Sequence, residues 1–356
     1  MAITVLSVGY PLAPVAENTA GGAEQILGIL DEALADAGHR SIVIAPEGSH
    51  CRGLLLPTRL PEGQLDDDAR RCAHREYISV IKSALAEHEV DVVHMHGIDF
   101  MEYLPEAEVP VIITLHLPLS WYPATAFSLM RPKTHLVCVS ESQKARGMPA
   151  AKNCRVIANG VRLERYRPTG EKSDYVVCLG RVCPEKGFHI ALDAASEAGV
   201  PLILAGQVFG YKAHQEYFET MIRPRLRGGH RFVDAVGGKR KNQLLAGARC
   251  LVVPSLVAET SCLVAMEALA CGTPVVAFRR GALAEVVEHG CTGFLVETPS
   301  QLSAAMLDAR ELSSSLCRER AERNFSAAKM MDAYLSLYQE LAGTGERPEV
   351  HWERAA

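Results

Sequence analysis

The sequence predicts an α/β fold of two parallel-sheet domains that face each other across a cleft. At 356 residues the chain is longer than one hydrophobic core usually supports, which favours two domains. Short apolar segments alternate with segments of helical period, as in parallel α/β sheets. This alternation occurs twice, on either side of a stretch rich in proline, glycine and charge at residues 165–174. We expect that stretch to link two Rossmann-like domains.

The predicted strands fall into two series. In the first half they cover residues 3–8, 41–45, 91–94, 109–114 and 135–139, with helices at 23–37 and 75–89. In the second half strands cover 175–179, 201–205, 231–233, 250–254, 274–278 and 293–296, with helices at 188–198, 241–248, 260–270 and 283–288. Segments such as VVHM, VVCL and LVVP are apolar throughout, as strands buried on both faces must be.

These elements divide the chain into three parts. We expect an N-terminal domain at residues 1–165 and a C-terminal domain at residues 175–325. Residues 326–356 follow the complete second series, and we expect them to form a helix that packs back on the N-terminal domain. Two such domains leave one natural ligand position, the cleft between the carboxyl ends of both sheets.

Composition excludes several classes of function. The net charge of −5 is unlike that of a general nucleic-acid binder. The apolar first residues lack a basic region and a cleavage site, so they predict a strand and not a signal peptide. No apolar run reaches the ~18 residues of a membrane span. The 11 cysteines form no CxxC pair, which favours a reducing cytoplasmic setting over disulfides or a zinc site.

Two glutamates provide the strongest local signal. Glu259 lies in the loop after an apolar strand, and Glu267 lies eight positions later on a helix. At 1.5 Å rise per residue the two are roughly 10–12 Å apart, which suits a sugar hydroxyl at one carboxylate and a ribose at the other. The alternative is a pair of solvated glutamates on a surface helix.

The start of the same helix predicts a diphosphate site between the two glutamates. We expect Thr260 or Ser261 to cap the helix with a side-chain oxygen. The amides of Cys262 and Leu263 would then point outward with the positive end of the helix dipole, as in known anion sites.

A basic turn precedes another helix of the second domain. Arg181 and Lys186 flank a turn marked by Pro184 and Gly187. A bidentate guanidinium and a point-charge ammonium together suit a diphosphate leaving group, whose charge they would stabilise without a metal. A solvated basic turn is the alternative.

Three further positions are expected at the cleft. Gly21 and Gly22 stand between the first strand and a helix, where the backbone can approach a ligand closely, although the pair taken alone is better explained by a plain helix-entry turn. His116 follows a buried strand at its carboxyl end, where a neutral imidazole could bond a sugar hydroxyl or carry a proton. A buried structural histidine is the alternative reading.

The sequence predicts no metal site. His94 and His96 lie on one face of a strand, but no carboxylate or cysteine has supporting spacing, so we expect His96 to line the cleft. Asp66 and Asp68 spell a DxD motif within a polar segment that leads into a helix, and we interpret them as helix-start charges.

Taken together, these motifs resemble the retaining glycosyltransferases of carbohydrate-active family four, also called glycosyl transferases group 1, which have the GT-B fold. The resemblance covers nearly the whole chain and includes the blocks GGAE, VVHMHG, TLH, CVSES, VIANGV and GRVCPEKG. It ends with the pair Glu259 and Glu267 followed by ALACGTPVVA. GRVCPEKG and the glutamate block are specific when they occur together.

The resemblance implies a nucleotide-diphosphate sugar held mainly by the second domain and an acceptor that approaches from the first. By matching position, Arg181 and Lys186 would bind the diphosphate, Glu259 the donor sugar and Glu267 the ribose. The remaining implied contacts are Val236 beside the base, and Gly21, Gly22 and His116 around the donor sugar and acceptor. The family retains the anomeric configuration without a metal or other cofactor, and the departing phosphate itself accepts the acceptor's proton.

One departure concerns the donor sugar. Many members of the family have Pro-Phe-Gly after the first glutamate, whereas this chain has Thr260, Ser261 and Cys262. We expect UDP-glucose or a similar UDP-sugar, on the frequency of donors in the family.

The acceptor is expected to be a sugar-containing or small molecule, with a lipid-linked one as an open alternative. Trp121 and Tyr122 would form an acceptor wall or would simply anchor their loop. Residues 131–167 carry nine lysines and arginines, which indicates either peripheral contact with an anionic membrane or a solvated basic face.

Two other functions fit the same architecture. A sugar-nucleotide epimerase would need no acceptor, and a non-catalytic protein would bind the nucleotide sugar only. The glycine pair and His116 beside a complete donor site argue against the second. No GxGxxG follows a strand, which disfavours a dehydrogenase.

Overall fold

The computed structural model describes residues 2–16, 19, 21–61, 63, 65–129, 131–147 and 154–343. It contains two parallel sheets, each covered by helices, so the predicted α/β fold of two Rossmann-like domains is confirmed. Residues 344–356 of the predicted C-terminal segment and residues 148–153 of the basic stretch lie outside the described residues.

The N-terminal domain contains seven strands and three α-helices among the described residues. Their bounds are β1 Thr4–Val8, α1 Gly22–Asp36, β2 Arg40–Pro46, β3 Leu54–Thr58, α2 Asp67–Glu87, β4 Val92–Met95, β5 Val111–Leu115, β6 Thr134–Cys138, α3 Glu141–Ala145 and β7 Arg155–Val156.

The C-terminal domain contains six strands, and α11 follows it. The bounds are β8 Val176–Arg181, α4 Phe188–Ala198, β9 Leu202–Gln207, α5 Lys212–Tyr217, β10 Arg231–Val233, α6 Gly238–Gly247, β11 Cys250–Val253, α7 Leu263–Ala270, β12 Val275–Phe278, α8 Leu283–Val286, β13 Gly293–Val296, α9 Ser300–Asp308, α10 Ser314–Asn324 and α11 Ala327–Leu341.

Both sheets reverse their strand order at one point. The order is β3-β2-β1-β4-β5-β6-β7 in the first sheet and β10-β9-β8-β11-β12-β13 in the second. The chain therefore leaves β1 and β4 in opposite directions, and likewise β8 and β11, which opens a crevice at the carboxyl ends of these strands. The loops after them carry the predicted site residues.

Several elements differ from the prediction, among them the short strand β7, which was not predicted. The strand β3 was not predicted, because Pro57 within Leu54–Thr58 cannot donate to a central ladder, and the structure places it at the sheet edge. The helix α2 begins at Asp67 and not at residue 75, since its first turns are solvent-exposed and carry no apolar period. Asp66 caps α2 by accepting from the Ala69 amide at 2.9 Å, as its helix-start interpretation requires.

The helix α11 packs on the N-terminal sheet. Its Met330, Tyr334 and Tyr338 are buried in one hydrophobic cluster with Val5 of β1 and Leu30 of α1. The hydroxyls of these two tyrosines also reach buried polar groups of the sheet: Tyr334 lies 2.9 Å from the Thr114 hydroxyl and Tyr338 lies 2.7 Å from His94 Nδ1. The chain thus returns from the second domain to complete the core of the first.

Tyr334→Ala is expected to lower the free energy of unfolding by about 3–5 kcal/mol, because it removes a large buried ring and leaves the Thr114 hydroxyl short of a partner. Urea denaturation measures the change. Ser336→Ala, on the exposed face of α11, is the control and should stay within about 0.5 kcal/mol of the parent. A loss below about 1 kcal/mol for Tyr334→Ala would show that α11 contributes little to this core.

Candidate active site

The crevice between the domains is a cavity of about 420 Å³ lined by residues of both. Loops after β1, β4 and β5 line one side, and loops after β8, β10 and β11 line the other. The structure brings together every site residue predicted from the sequence, which are Gly21, Gly22, His96, His116, Trp121, Tyr122, Arg181, Lys186, Val236, Glu259, Thr260, Ser261, Cys262, Leu263 and Glu267.

An ion pair between the partly buried Lys186 and the buried Glu259 lines the cavity. The Lys186 ammonium is 2.6 Å from Glu259 Oε1, which also accepts from the Ser255 hydroxyl. Burial alone would raise the pKa of Glu259, but Lys186 and Ser255 outweigh it and the pKa is lowered. Burial likewise opposes the charged form of Lys186, yet Glu259 raises its pKa. Both groups therefore stay ionised at neutral pH.

The basic turn is fixed by close backbone approach. Gly187 has φ of 62°, and a Cβ there would overlap the carbonyl oxygen of Pro254 at the end of β11. Glycine at this position therefore lets the Lys186 turn pack against the loop that carries Glu259. Among the described residues the Arg181 guanidinium has no hydrogen-bond or ion-pair partner, which leaves its donors available to a ligand.

Glu267 is held at one oxygen only. Its Oε1 accepts from the Tyr166 hydroxyl at 2.6 Å and from the Lys241 ammonium at 2.5 Å. Its Oε2 is buried and has no partner in the described part of the chain. The second glutamate of the predicted pair is thus a buried, cleft-lining residue, and the surface-helix alternative is wrong for both glutamates.

The predicted cap of α7 is wrong. The N-cap is Cys262, with φ of 63° and no side-chain cap, and not Thr260 or Ser261. The Thr260 side chain instead points across the cleft, where its hydroxyl donates to the His116 carbonyl at 2.8 Å. Cys262, Leu263 and Val264 at the start of α7 line the cleft, and the first amides of a helix have no partner in a preceding turn.

Three histidines lie next to one another on the first-domain side of the cleft. His96 Nδ1 lies 3.0 Å from His116 Nε2, and the two rings are stacked. Burial lowers the pKa of both, so both are neutral at physiological pH. His94 is fully buried and bonds Thr114 and Tyr338, which uses both of its ring nitrogens in the core.

Gly21 and Gly22 have different surroundings. The Glu24 carboxylate folds back over the start of α1, where a Cβ at Gly21 would overlap it. A Cβ added at Gly22 would instead lie 3.5 Å from Leu263 Cδ1 of the second domain, which is an ordinary van der Waals contact. Glu24 lines the cleft, and burial raises its pKa.

Trp121 and Tyr122 have different environments. The Trp121 side chain is 40% exposed at the mouth of the cleft, where an aromatic face is available to a ligand. Tyr122 is buried between Phe100 and Phe127, and its hydroxyl accepts from the Leu117 amide at 3.4 Å. Tyr122 therefore anchors the loop, whereas the Trp121 ring is exposed at the cavity.

One group of described residues has the composition of a cation site. Donor atoms of Cys183, Glu185 and His214 lie within 4.8 Å of one another. Burial raises the pKa of the Cys183 thiol to about 11, and the neighbouring charges of Arg181 and Lys186 repel a cation. These charges disfavour a metal at this position.

Four of the nine basic residues in the stretch 131–167 bond to the protein itself. Arg155 pairs with Glu340 at 2.6 Å, and Arg162 and Arg165 both pair with Glu32. Arg131 donates to backbone carbonyls at the start of β5. None of the described helices has the length and apolar composition needed to cross a bilayer.

Sequence reasoning missed Lys241 and Tyr166, the two donors to Glu267. Lys241 lies in the first turn of α6 and shares a helical face with Leu244 and Leu245, and a lone lysine on an apolar face was the available signal. Tyr166 had no such signal, because it lies in the linker where no period can be read.

Comparison with known proteins places the chain in a family. Residues 20–165 match the family model described as Glycosyltransferase Family 4, and residues 173–311 match Glycosyl transferases group 1. The chain belongs to this family of glycosyltransferases, and its two domains form the GT-B fold.

Individual relatives extend the match over nearly the whole chain. A phosphatidyl-myo-inositol mannosyltransferase of Mycobacterium tuberculosis is 25% identical over 384 residues, covering 95% of this chain and 98% of the relative. AviGT4, a glycosyltransferase involved in avilamycin A biosynthesis, has a TM-score of 0.70 at 24% identity, with 96% and 99% of the two chains covered. Anabaena HepE in complex with UDP and glucose has a TM-score of 0.73 at 19% identity, with 94% and 99% covered.

The left-handed backbone at Cys262 generates a stability prediction. A non-glycine residue in this region costs about 1–2 kcal/mol, so glycine should be preferred here over alanine. We expect Cys262→Gly to be more stable than Cys262→Ala by about 1 kcal/mol in urea denaturation. This reverses the order found within regular helices, and an alanine variant as stable as the glycine variant would contradict the assigned strain.

Proposed function

We propose that the protein transfers a hexose from a nucleotide-diphosphate sugar to an acceptor hydroxyl, with retention of configuration and without a metal. One observation carries this proposal: two buried carboxylates flank a cluster of cations at the crevice between the sheets. Glu259, Glu267, Arg181, Lys186 and the start of α7 all line that cavity.

The cations suit the diphosphate. Arg181 has unused donors, and Lys186 carries a charge that burial does not remove. With the helix dipole of α7 they would stabilise the negative charge that develops as the phosphate leaves. This supplies the electrostatic assistance that a metal would otherwise give.

The transfer itself needs few protein groups. The bond from the anomeric carbon to the phosphate oxygen breaks, the acceptor oxygen bonds the same face of that carbon, and the acceptor's proton passes to the departing phosphate. Neutral His116 orients hydroxyls at this point and is not required as a base, because its lowered pKa makes it a poor proton acceptor.

For the donor we propose UDP-glucose or a similar UDP-hexose. HepE was solved with UDP and glucose, and the mycobacterial relative is named as a mannosyltransferase, so both concern hexoses. The acceptor would be a sugar-containing or small molecule, lipid-linked ones included, that meets the exposed face of Trp121. Eleven free thiols suit a cytoplasmic setting.

A screen of UDP-, GDP-, ADP- and dTDP-sugars by calorimetry in EDTA tests the donor. We expect one UDP-hexose to bind most tightly and to be hydrolysed slowly, with the sugar appearing first in the donor's own anomeric form by NMR. Release of the opposite anomer would refute retention, and failure of every nucleotide sugar to bind would refute the transferase proposal.

Substitutions in the Lys186–Glu259 ion pair test donor binding and turnover separately. Glu259→Ala should reduce turnover by about 10²–10³, since it removes a group that contacts the sugar, while UDP affinity changes less than about threefold. Lys186→Ala should weaken UDP binding by about 10-fold or more, because a charge-assisted contact is lost. Calorimetry with UDP and initial-rate kinetics provide both numbers. Equal losses of affinity and turnover in Glu259→Ala would contradict the assignment.

A further inference from the structure

Lys241 and Glu267 form the most deeply buried ion pair among the described residues of the cleft. Their side chains are 7% and 2% exposed, and the Nζ to Oε1 distance is 2.5 Å. The Tyr166 hydroxyl donates to the same oxygen, and the Lys241 ammonium lies 5.9 Å from the centre of the Tyr166 ring. Two donors therefore converge on Oε1.

The other oxygen of Glu267 is left without a donor. Buried carboxylate oxygens are normally hydrogen-bonded, so an unpartnered Oε2 calls for a partner from outside the chain. Glu267 lines the cavity, and a ligand that enters it can therefore supply that donor. An ionised carboxylate accepts only, so the matching ligand group is a hydroxyl or an amine.

Lys241 and Tyr166 together fix the orientation of the Glu267 carboxylate. Removing one partner of a buried ion pair leaves an uncompensated charge, and the carboxylate would then turn toward whatever donors remain. With both donors on one oxygen, the carboxylate cannot leave this orientation without losing both bonds. Lys241 also follows Val236 closely, in the first turn of α6, so it belongs to the nucleoside end of the cleft.

We propose that Lys241 is the positioning residue of the nucleoside pocket: it holds Oε1 of Glu267 so that Oε2 accepts a ribose hydroxyl of the donor. This inference rests on the proposed function. It makes the preference for ribonucleotides over deoxyribonucleotides a property of the Lys241–Glu267 pair and not of Glu267 alone.

The test compares UDP with 2′-deoxy-UDP and 3′-deoxy-UDP by calorimetry, in the parent and in Lys241→Met. In the parent, one of the two deoxy compounds should bind about 10-fold or more weakly than UDP, because Oε2 loses its donor. In Lys241→Met, UDP should bind about 10-fold more weakly. The factor by which the deoxy compound binds more weakly than UDP, here called the deoxy penalty, should fall to about twofold or less. In Lys241→Arg, which keeps the charge, the logarithm of the deoxy penalty should be at least half of its value in the parent.

Lys172→Met is the matched control. Lys172 is a partly buried lysine outside the cleft, where it donates to the Ala246 carbonyl and the Thr273 hydroxyl. Its removal should lower stability without changing the deoxy penalty, which separates a general packing effect from positioning. If Lys241→Met does not fold, Lys241→Gln, which keeps a donor but not the charge, should reduce the penalty at least threefold.

The outcomes are distinguishable. A full deoxy penalty that persists in the folded Lys241 variant overturns the inference, and so does a parent protein that binds UDP without any deoxy penalty. In both cases UDP still binds, so the proposed function stands. A parent protein that does not bind UDP at all contradicts the proposed donor instead.

Discussion

The arrangement of the site depends on the reversal of strand order in each sheet. Parallel strands put all their carboxyl ends at one edge, and the reversal between β1 and β4, and between β8 and β11, leaves that edge uncovered at one point. Both uncovered points face the same cavity. Charged side chains there can be buried from water and yet reach a ligand, which is the condition for strong electrostatic contacts.

Within that cavity each of the two buried glutamates is paired with a lysine. Glu259 is paired with Lys186, and Glu267 with Lys241, at 2.6 and 2.5 Å. Each carboxylate is thereby kept in place, and each lysine is fixed beside the cavity. Arg181 is the exception, since it has no partner in the described residues, and its donors are those that a diphosphate can use without first breaking a bond.

Most of the fold and the two glutamates could be predicted because they depend on local signals. Continuous apolar runs identified the central strands, and a carboxylate after such a run is unusual enough to indicate function. The helix cap could not be predicted, because the Thr260 hydroxyl bonds His116 of the other domain, and a contact across 144 positions leaves no local pattern. Lys241 was overlooked for the related reason that its partner Glu267 lies on another helix.

The closure of the cleft is held by few interactions compared with the domains themselves. Single hydrogen bonds join the domains at Thr260 and His116, at Tyr10 and Tyr211, and between the Ser142 amide and Glu285. Each contributes about 1 kcal/mol net, whereas each domain has its own extensive buried core. The return of α11 to the first domain adds a packed contact to this connection. The hydrogen bonds that join the domains across the cleft therefore contribute far less free energy than the packing within either domain.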